Sequence, residues 1–246
     1  MKQTSLSLMA AMAIFAAGAT LRAFAGEHPA TSSVPQHWAM QRFLDKQKEV
    51  AALKGQTVDL VMLGDSITHF WESRHLKHWK EFSEAGNRTA LNLGYSADRT
   101  YNLIWRIENG ELDGYTAKVV AIMIGTNNNS SKSADPAKTA EGVEKVVALV
   151  REKQPQAKII LHAIFPRGES PASRHAGARE RNDATNALLK EWAEKDGNVV
   201  WLDLTEKLTD ETGWVPKDIM GDGIHPAATG YAIWAEALAP YLANRE

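Results

Sequence analysis

Short runs of aliphatic and β-branched residues alternate with longer amphipathic stretches along most of this chain. The runs are apolar at nearly every position, as in strands buried on both faces; they cover residues 58–63, 89–93, 118–124, 158–165 and 199–204. The stretches between and around them have helical periodicity and cover residues 36–53, 72–82, 99–109, 137–153, 178–196 and 227–243. Strands joined by helical crossovers predict an α/β fold, a single three-layer domain around a five-stranded parallel, doubly wound sheet.

The first 25 residues have the pattern of a signal peptide. Lys2 precedes an apolar run at residues 8–19, and Ala23-Phe24-Ala25 matches the small-x-small pattern of a cleavage site. A membrane anchor is the alternative, but polar residues end the run before the roughly 20 apolar residues that a membrane span needs. We therefore expect a secreted or periplasmic protein with no stable membrane insertion after cleavage.

The rest of the chain divides into two parts. Residues 26–35 are rich in small and turn-forming residues without an apolar period, which predicts a flexible leader. Residues 36–246 contain no repeat or linker and are predicted to form one domain. The sequence leaves the oligomeric state open, with a homodimer among the alternatives.

Composition and charge exclude several classes of function. The chain has 246 residues and a formal net charge of −2, so it offers no basic field to attract a nucleic acid. It contains no cysteine, which excludes disulfides, thiol catalysis and cysteine-ligated metals.

A serine follows the first predicted strand, in Leu63-Gly64-Asp65-Ser66. The carboxyl ends of the strands are where open α/β sheets bind ligands, so Ser66 lies where a nucleophile is expected. A serine at this turn could also act only as a helix cap. The turn alone leaves both interpretations open.

Gly94 and Asn127 follow the second and third predicted strands, on the same rim as Ser66. The absence of a Cβ lets the Gly94 N–H approach a ligand closely, and the Asn127 amide is a second neutral donor. Two such donors aimed at one point stabilise a tetrahedral oxyanion. Each residue alone could simply close a turn, but their joint position beside Ser66 favours an oxyanion hole.

Asp222 and His225 lie in a glycine-rich loop just before the last predicted helix. A carboxylate three residues before a histidine can accept its Nδ1–H, which leaves Nε2 free to act as a base. A surface loop with a capping aspartate is the alternative. With Ser66, these residues predict a catalytic triad.

Four motifs together resemble the conserved blocks of SGNH (GDSL-type) hydrolases: Gly-Asp-Ser at 64–66, Gly94, Gly-Thr-Asn-Asn at 125–128 and Asp-x-x-His at 222–225. The stretches at 105–112, 154–160 and 166–169 are similar to the catalytic subunits of intracellular platelet-activating factor acetylhydrolase.

The resemblance implies a flavodoxin-like fold and deacylation without a metal or other cofactor. It also implies Ser66, Asp222 and His225 as the triad, with the N–H groups of Ser66 and Gly94 and the side chain of Asn127 as the oxyanion hole. The acetylhydrolase subgroup is cytosolic, whereas this chain carries an export signal. Its loop at 221–226 is closer to that of bacterial carbohydrate esterases.

Other residues near these motifs suggest alternatives. His69, His75 and His78 are close in sequence, but no His-Glu-x-x-His pattern is present, so we expect no metal site. Ser96 narrowly misses the Gly-x-Ser-x-Gly nucleophile turn, because Asp98 replaces the second glycine.

Two aromatic residues, Trp71 and Tyr95, are candidate substrate contacts because they lie close in sequence to Ser66 and Gly94. A tryptophan can stack on a sugar ring or fill the core, and position alone does not separate these roles.

Together these residues predict a secreted serine esterase acting on short-chain esters of a carbohydrate or glycan, with acetyl as the expected acyl group. A phospholipid or lysophospholipid acyl hydrolase is the second hypothesis. The third is a carbohydrate-binding module that has kept the scaffold without catalysis.

Overall fold

Five parallel strands form the centre of the molecule, and each corresponds to one of the predicted apolar runs. They are β1 Thr57–Gly64, β2 Ala90–Gly94, β3 Thr116–Met123, β4 Lys158–His162 and β5 Val199–Leu202. Their order in the sheet is β2-β1-β3-β4-β5. The computed structural model describes residues 29–243, so the predicted signal peptide at residues 1–25 lies outside the described part of the chain.

Eight α-helices flank the sheet in the described range: α1 Met40–Ala52, α2 Ser66–Ser73, α3 Leu76–Ser83, α4 Thr100–Arg106, α5 Pro136–Lys153, α6 Ala176–Asp196, α7 Thr205–Leu208 and α8 Ala228–Leu242. A wide turn, Ile107–Glu111, continues α4. Over residues 29–243, none of the helices has the length and apolarity that a membrane crossing requires.

The helices pack on the two faces of the sheet as separate layers. Side chains of α1, α4, α5 and α6 meet one face in a continuous core, and those of α2, α3, α7 and α8 meet the other. Successive residues of β1 alternate between the two cores, as Val61 faces the first and Met62 the second. This confirms the predicted three-layer, doubly wound α/β fold of flavodoxin-like order.

The stretch that follows β1 differs from the prediction of one helix at 72–82. Helix α2 begins at Ser66 and ends at Ser73, because the N–H groups of Arg74 and His75 both donate to the Phe70 carbonyl. The predicted helix begins only at residue 72, because β-branched Ile67 and Thr68 weaken the helical signal before it.

The predicted flexible leader is wrong for residues 29–35, the part that the structure describes. Ala30 is 3% exposed, and its carbonyl accepts a 2.7 Å hydrogen bond from the Thr100 hydroxyl. The Lys145 ammonium donates to Thr31 O, and Val34 N–H donates to Tyr101 O. Side chains from distant helices therefore hold this segment against the domain.

A buried histidine at the end of β4 links folding to pH. His162 is 1% exposed, and its Nε2 accepts from the Trp234 indole N–H at 3.2 Å. Burial lowers the pKa of His162 to about 3. Between that value and the usual imidazole range the unfolded chain binds one more proton than the folded chain, so stability falls as the pH falls.

We expect the free energy of unfolding to lose about 1.4 kcal/mol per pH unit from this one group below about pH 6. The His162→Gln variant keeps a possible acceptor for Trp234 but has no proton to gain. The free energy of unfolding is measured with urea between pH 7 and pH 4. As the pH falls it should decrease less steeply in this variant than in the wild type, by the equivalent of one bound proton. Equal slopes in the two proteins would contradict the assignment.

Candidate active site

Ser66 is the first residue of α2, directly beyond the carboxyl end of β1. The Asp65 carboxylate caps this helix by accepting from Ile67 N–H at 2.9 Å. Gly64 is required at the turn, because a Cβ there would lie 2.2 Å from the Thr68 hydroxyl oxygen. The N–H of Ser66 has no acceptor within the helix, and the helix N-terminus favours negative charge beside it.

Three side chains form a hydrogen-bonded chain at this end of the sheet. The Ser66 Oγ is 2.9 Å from His225 Nε2, and His225 Nδ1 is 2.7 Å from an Asp222 carboxylate oxygen. A carboxylate can only accept, so Nδ1 carries the proton and Nε2 presents its lone pair to the serine hydroxyl. The structure thus brings together the three predicted triad residues, in the order that proton transfer from the serine requires.

Asp222 is held in its ionised form. Partial burial raises its pKa, but hydrogen bonds from the His225 side chain and backbone outweigh this effect and lower the pKa to about 2. The other carboxylate oxygen accepts from the N–H groups of Ile224 and His225 at 3.0 and 2.8 Å. These bonds fix both the charge and the orientation of the carboxylate.

The loop that carries Asp222 and His225 rests on a second loop, which follows β4. Gly168 N–H donates to Gly223 O at 2.8 Å, and a Cβ on Gly223 would lie 2.8 Å from a Glu169 carboxylate oxygen. The Phe70 ring packs on the other side, with its centroid 4.8 Å from that of the His225 ring. The stretch at 166–169, Pro-Arg-Gly-Glu, therefore supports the histidine loop.

Gly94 does not have the predicted role of oxyanion donor. Its N–H already donates to the Asn92 side-chain oxygen at 2.9 Å, and the Asn92 amide in turn donates to Thr68 O. A Cβ on Gly94 would lie 2.4 Å from His69 N. The glycine is needed because β2 ends in close contact with the first turn of α2.

The turn after Gly94 contains a donor that the sequence did not indicate. Ala97 has a φ of 61°, a left-handed conformation that is costly for a residue with a Cβ. Among residues 29–243 no acceptor is found for its N–H. A 3.0 Å hydrogen bond from Tyr95 N–H to Gly64 O holds the turn around Ala97 next to the turn that carries Ser66. An alanine gives no sequence signal for such a backbone, so the donor could not be predicted.

Asn127 and Asn128 are adjacent but face different partners. The Asn127 amide nitrogen donates one hydrogen to Asp98 O at 2.9 Å, which leaves its second hydrogen for a ligand. The Asn128 side chain caps α4, accepting from Thr100 N–H at 3.1 Å and donating to the Thr100 hydroxyl at 2.8 Å. The Asn128 amide is thus fixed to Thr100 through both its oxygen and its nitrogen, whereas the Asn127 side chain is held by the single bond to Asp98 O.

Neither aromatic residue predicted to contact substrate is accessible. Trp71 is 0% exposed and stacks between Phe82, Tyr231 and Trp234 in the core. Tyr95 is also 0% exposed, and its hydroxyl donates to the Glu111 carboxylate. Both predictions are wrong, because each ring points away from the strand ends into a helical layer.

A cavity of about 260 Å³ adjoins the His225 loop, lined by Phe70, Arg74, His75, Gly221, Asp222, His225, Pro226 and Ala227. The Arg74 guanidinium lies over the Phe70 ring, 3.4 Å from its centroid. In the part of the chain from 29 to 243, no cluster of three or more histidines and carboxylates is arranged to hold a metal ion. His69, considered above as a ligand, instead bonds the Ser96 hydroxyl at 2.9 Å.

Comparison with known proteins identifies the family. The sequence pattern of the GDSL-like lipase/acylhydrolase family matches residues 62–233. The chain belongs to this family. The match includes every residue of the hydrogen-bonded chain described above, and it confirms the predicted resemblance to GDSL-type hydrolases.

Curated relatives of this GDSL-like hydrolase carry the name of the predicted subgroup. Platelet-activating factor acetylhydrolase IB subunit alpha2 from Homo sapiens is 34% identical over 179 residues, which cover 73% of either chain. The same subunit from Gallus gallus is 32% identical over 183 residues, covering 74% of this chain and 75% of the relative.

Solved structures similar to this GDSL-like hydrolase share its fold. A GDSL-like lipase from Bacteroides thetaiotaomicron VPI-5482 superposes with a TM-score of 0.67 at 20% identity, covering 81% of this chain and 96% of the other. An acetyl-xylooligosaccharide esterase mutant from Geobacillus Stearmophilus gives a TM-score of 0.59 at 20% identity, covering 78% and 96%. With the family match, they identify the chain as a carboxylic ester hydrolase of the GDSL class.

Proposed function

We propose that this GDSL-like hydrolase is an exported serine esterase that removes short acyl groups, acetyl above all, from a carbohydrate or glycan. The observation that carries the proposal is the unbroken hydrogen-bonded chain from Ser66 through His225 to Asp222. A module that only binds carbohydrate would have no need for this arrangement.

In the proposed reaction, Ser66 Oγ attacks the ester carbonyl carbon while His225 Nε2 takes the hydroxyl proton. The ionised Asp222 stabilises the imidazolium that forms, and its low pKa keeps it charged throughout. His225 then gives the proton to the leaving alcohol, and the acyl group stays on Ser66. Water enters by the same route in reverse and releases the acid.

Three donors are available for the negative oxygen of the tetrahedral intermediate. We assign this role to the N–H of Ser66, the N–H of Ala97 and the second amide hydrogen of Asn127. The free N–H at Ala97 and the left-handed backbone that presents it support the assignment. Ala97 thus replaces Gly94 in the predicted set.

A small acyl group fits the confined surroundings of the nucleophile. Ser66 is only 8% exposed, so its hydroxyl lies in a confined position. The relatives are named acetylhydrolases, and an acetyl-xylooligosaccharide esterase shares the fold. Both names support acetyl as the group removed.

A phospholipid ester is the second candidate substrate. The relatives named for platelet-activating factor favour it, since the subunits described above are 34% and 32% identical to this chain. The export pattern in residues 1–25 and the loop at 221–226 favour the carbohydrate ester. The buried position of Trp71 removes one argument for stacking on a sugar.

Export is part of the proposal and rests on the charged, apolar and small-residue pattern at the N-terminus. We place the mature enzyme in the periplasm or outside the cell. Fractionation of the cells that naturally produce the protein tests this. A protein retained in the cytoplasm with residues 1–25 intact would overturn it.

The substrate proposal is tested with p-nitrophenyl esters of increasing acyl length, followed by acetylated xylan and an acetylated phospholipid. We expect kcat/KM to fall about tenfold or more from acetyl to octanoyl, because a confined pocket rejects extra methylenes. Acetate release from xylan should exceed release from the phospholipid. A preference for octanoyl esters would overturn the short-chain proposal, and a preference for the phospholipid would overturn the carbohydrate.

A further inference from the structure

A cluster of buried polar and charged side chains lies behind the turn that carries Ala97. Asp98 and Glu111 are 0% exposed, Arg106 is 1% exposed and Tyr95 is 0% exposed. The Arg106 guanidinium binds both oxygens of Asp98, at 2.7 and 3.1 Å, and lies 3.5 Å from the centroid of the Tyr95 ring. The opposite end of Tyr95 donates to Glu111.

Such a cluster is a poor way to stabilise a core. Removing ions from water is so costly that well-packed apolar side chains often stabilise a fold as well or better. The cluster is nevertheless fully enclosed, with Arg106 held in the bidentate geometry that fixes a carboxylate in direction as well as distance. Its arrangement points to a role in orientation.

Asp98 connects this cluster to the proposed oxyanion hole. Its carbonyl accepts the 2.9 Å hydrogen bond that orients the Asn127 amide. Its N–H donates to Tyr95 O at 3.1 Å, which closes the turn around Ala97. Arg106 therefore holds a residue whose backbone contacts both features, while its own side chain is too buried to meet a substrate.

We propose that Arg106 is a positioning residue, which fixes Asp98 so that the Asn127 amide and the Ala97 turn are held ready for the transition state. This inference rests on the proposed function, since it assumes that Asn127 is an oxyanion donor. The bidentate contact provides this orientation, because a single hydrogen bond would let the Asp98 backbone and the Asn127 amide rotate.

Arg106→Lys keeps the charge but removes the two-pronged contact. We expect kcat on p-nitrophenyl acetate to fall about 10- to 100-fold with little change in KM, since small errors in placement are costly in the transition state. Asp98→Asn is the second variant if Arg106→Lys fails to fold. It weakens the same ion pair with the backbone carbonyl in place, and its kcat should fall in the same direction.

Gln154→Ala is the control for a loss that comes only from stability. Gln154 is 3% exposed and bonds Leu112 O, Tyr115 O and Ala117 N–H at the opposite end of the sheet. This variant should lower the melting temperature without changing kcat. If its kcat falls as far as that of Arg106→Lys, the proposed positioning role is wrong.

A double-mutant cycle with Asn127→Ala tests whether Arg106 acts through Asn127. In the Asn127→Ala background, Arg106→Lys should have a much smaller effect on kcat than it has in the wild type, because the amide it positions is gone. The same fold-loss in both backgrounds would overturn the inference. So would an unchanged kcat in Asn127→Ala alone, even if Ser66→Ala shows that the proposed function is correct.

Discussion

Ser66→Ala is expected to abolish ester hydrolysis while the fold stays intact. In the proposed reaction the hydroxyl 2.9 Å from His225 Nε2 forms the acyl-enzyme, and alanine removes only that oxygen. In a comparable serine hydrolase, loss of the nucleophile costs about 10⁶-fold in kcat. Steady-state hydrolysis of p-nitrophenyl acetate measures the loss, and a circular dichroism melt reports the fold.

Ser73→Ala is the matched control, since Ser73 ends the same helix and its exposed hydroxyl donates to the His69 carbonyl. It should keep nearly full activity. A serine-directed fluorophosphonate should label the wild type and Ser73→Ala at Ser66, and should fail to label Ser66→Ala. Near-normal turnover by Ser66→Ala would show that another residue is the nucleophile.

Ser96 would be the first alternative in that event, and the structure gives a reason against it. Its hydroxyl bonds His69 Nδ1, and burial lowers the pKa of His69 to about 4. No carboxylate is bonded to that imidazole in the described chain to orient it as a base, in contrast to His225 with Asp222. The arrangement needed to activate a serine is therefore found at Ser66.

The sheet could be predicted from sequence because its strands are buried on both faces. β1 is apolar at nearly every position, since alternate residues such as Val61 and Met62 enter different cores. The site could be predicted for a related reason. Parallel strands bring their carboxyl ends to one rim, so residues that follow them share a site although they are far apart in sequence.

Features that depend on distant partners could not be predicted. Trp71 has the same spacing from Ser66 whether it lines a pocket or fills the core, and its burial is decided by Tyr231 and Trp234 from the last helix. The segment at 29–35 has no apolar period, and it is held by side chains of Thr100 and Lys145.

The proposed oxyanion donors include a predictable residue and an unpredictable one. The donor role of Asn127 can be predicted, because its side-chain amide is a recognisable donor at the end of a strand. Gly94 was predicted for its lack of a Cβ, but that freedom serves the close packing of β2 on α2. The donor at Ala97 arises from a backbone conformation that alanine rarely adopts, so nothing in the sequence marks it.

Asn127→Ala is expected to lower kcat by about 10²- to 10³-fold, the usual cost of losing one oxyanion donor. The lost hydrogen bond is strongest when the carbonyl oxygen becomes negative, so the transition state loses more than the bound substrate does. KM should therefore change little. Initial rates on p-nitrophenyl acetate over a range of concentrations separate the two constants.

Asn128→Ala is the matched control, one residue away and with the same atoms removed. Its side chain caps α4 through Thr100, so its loss should cost about 1 kcal/mol of stability and leave kcat close to that of the wild type. If Asn128→Ala is as damaging to kcat as Asn127→Ala, or if Asn127→Ala raises KM and spares kcat, Asn127 is a structural or substrate-binding residue. The oxyanion would then depend on the backbone N–H groups of Ser66 and Ala97 alone.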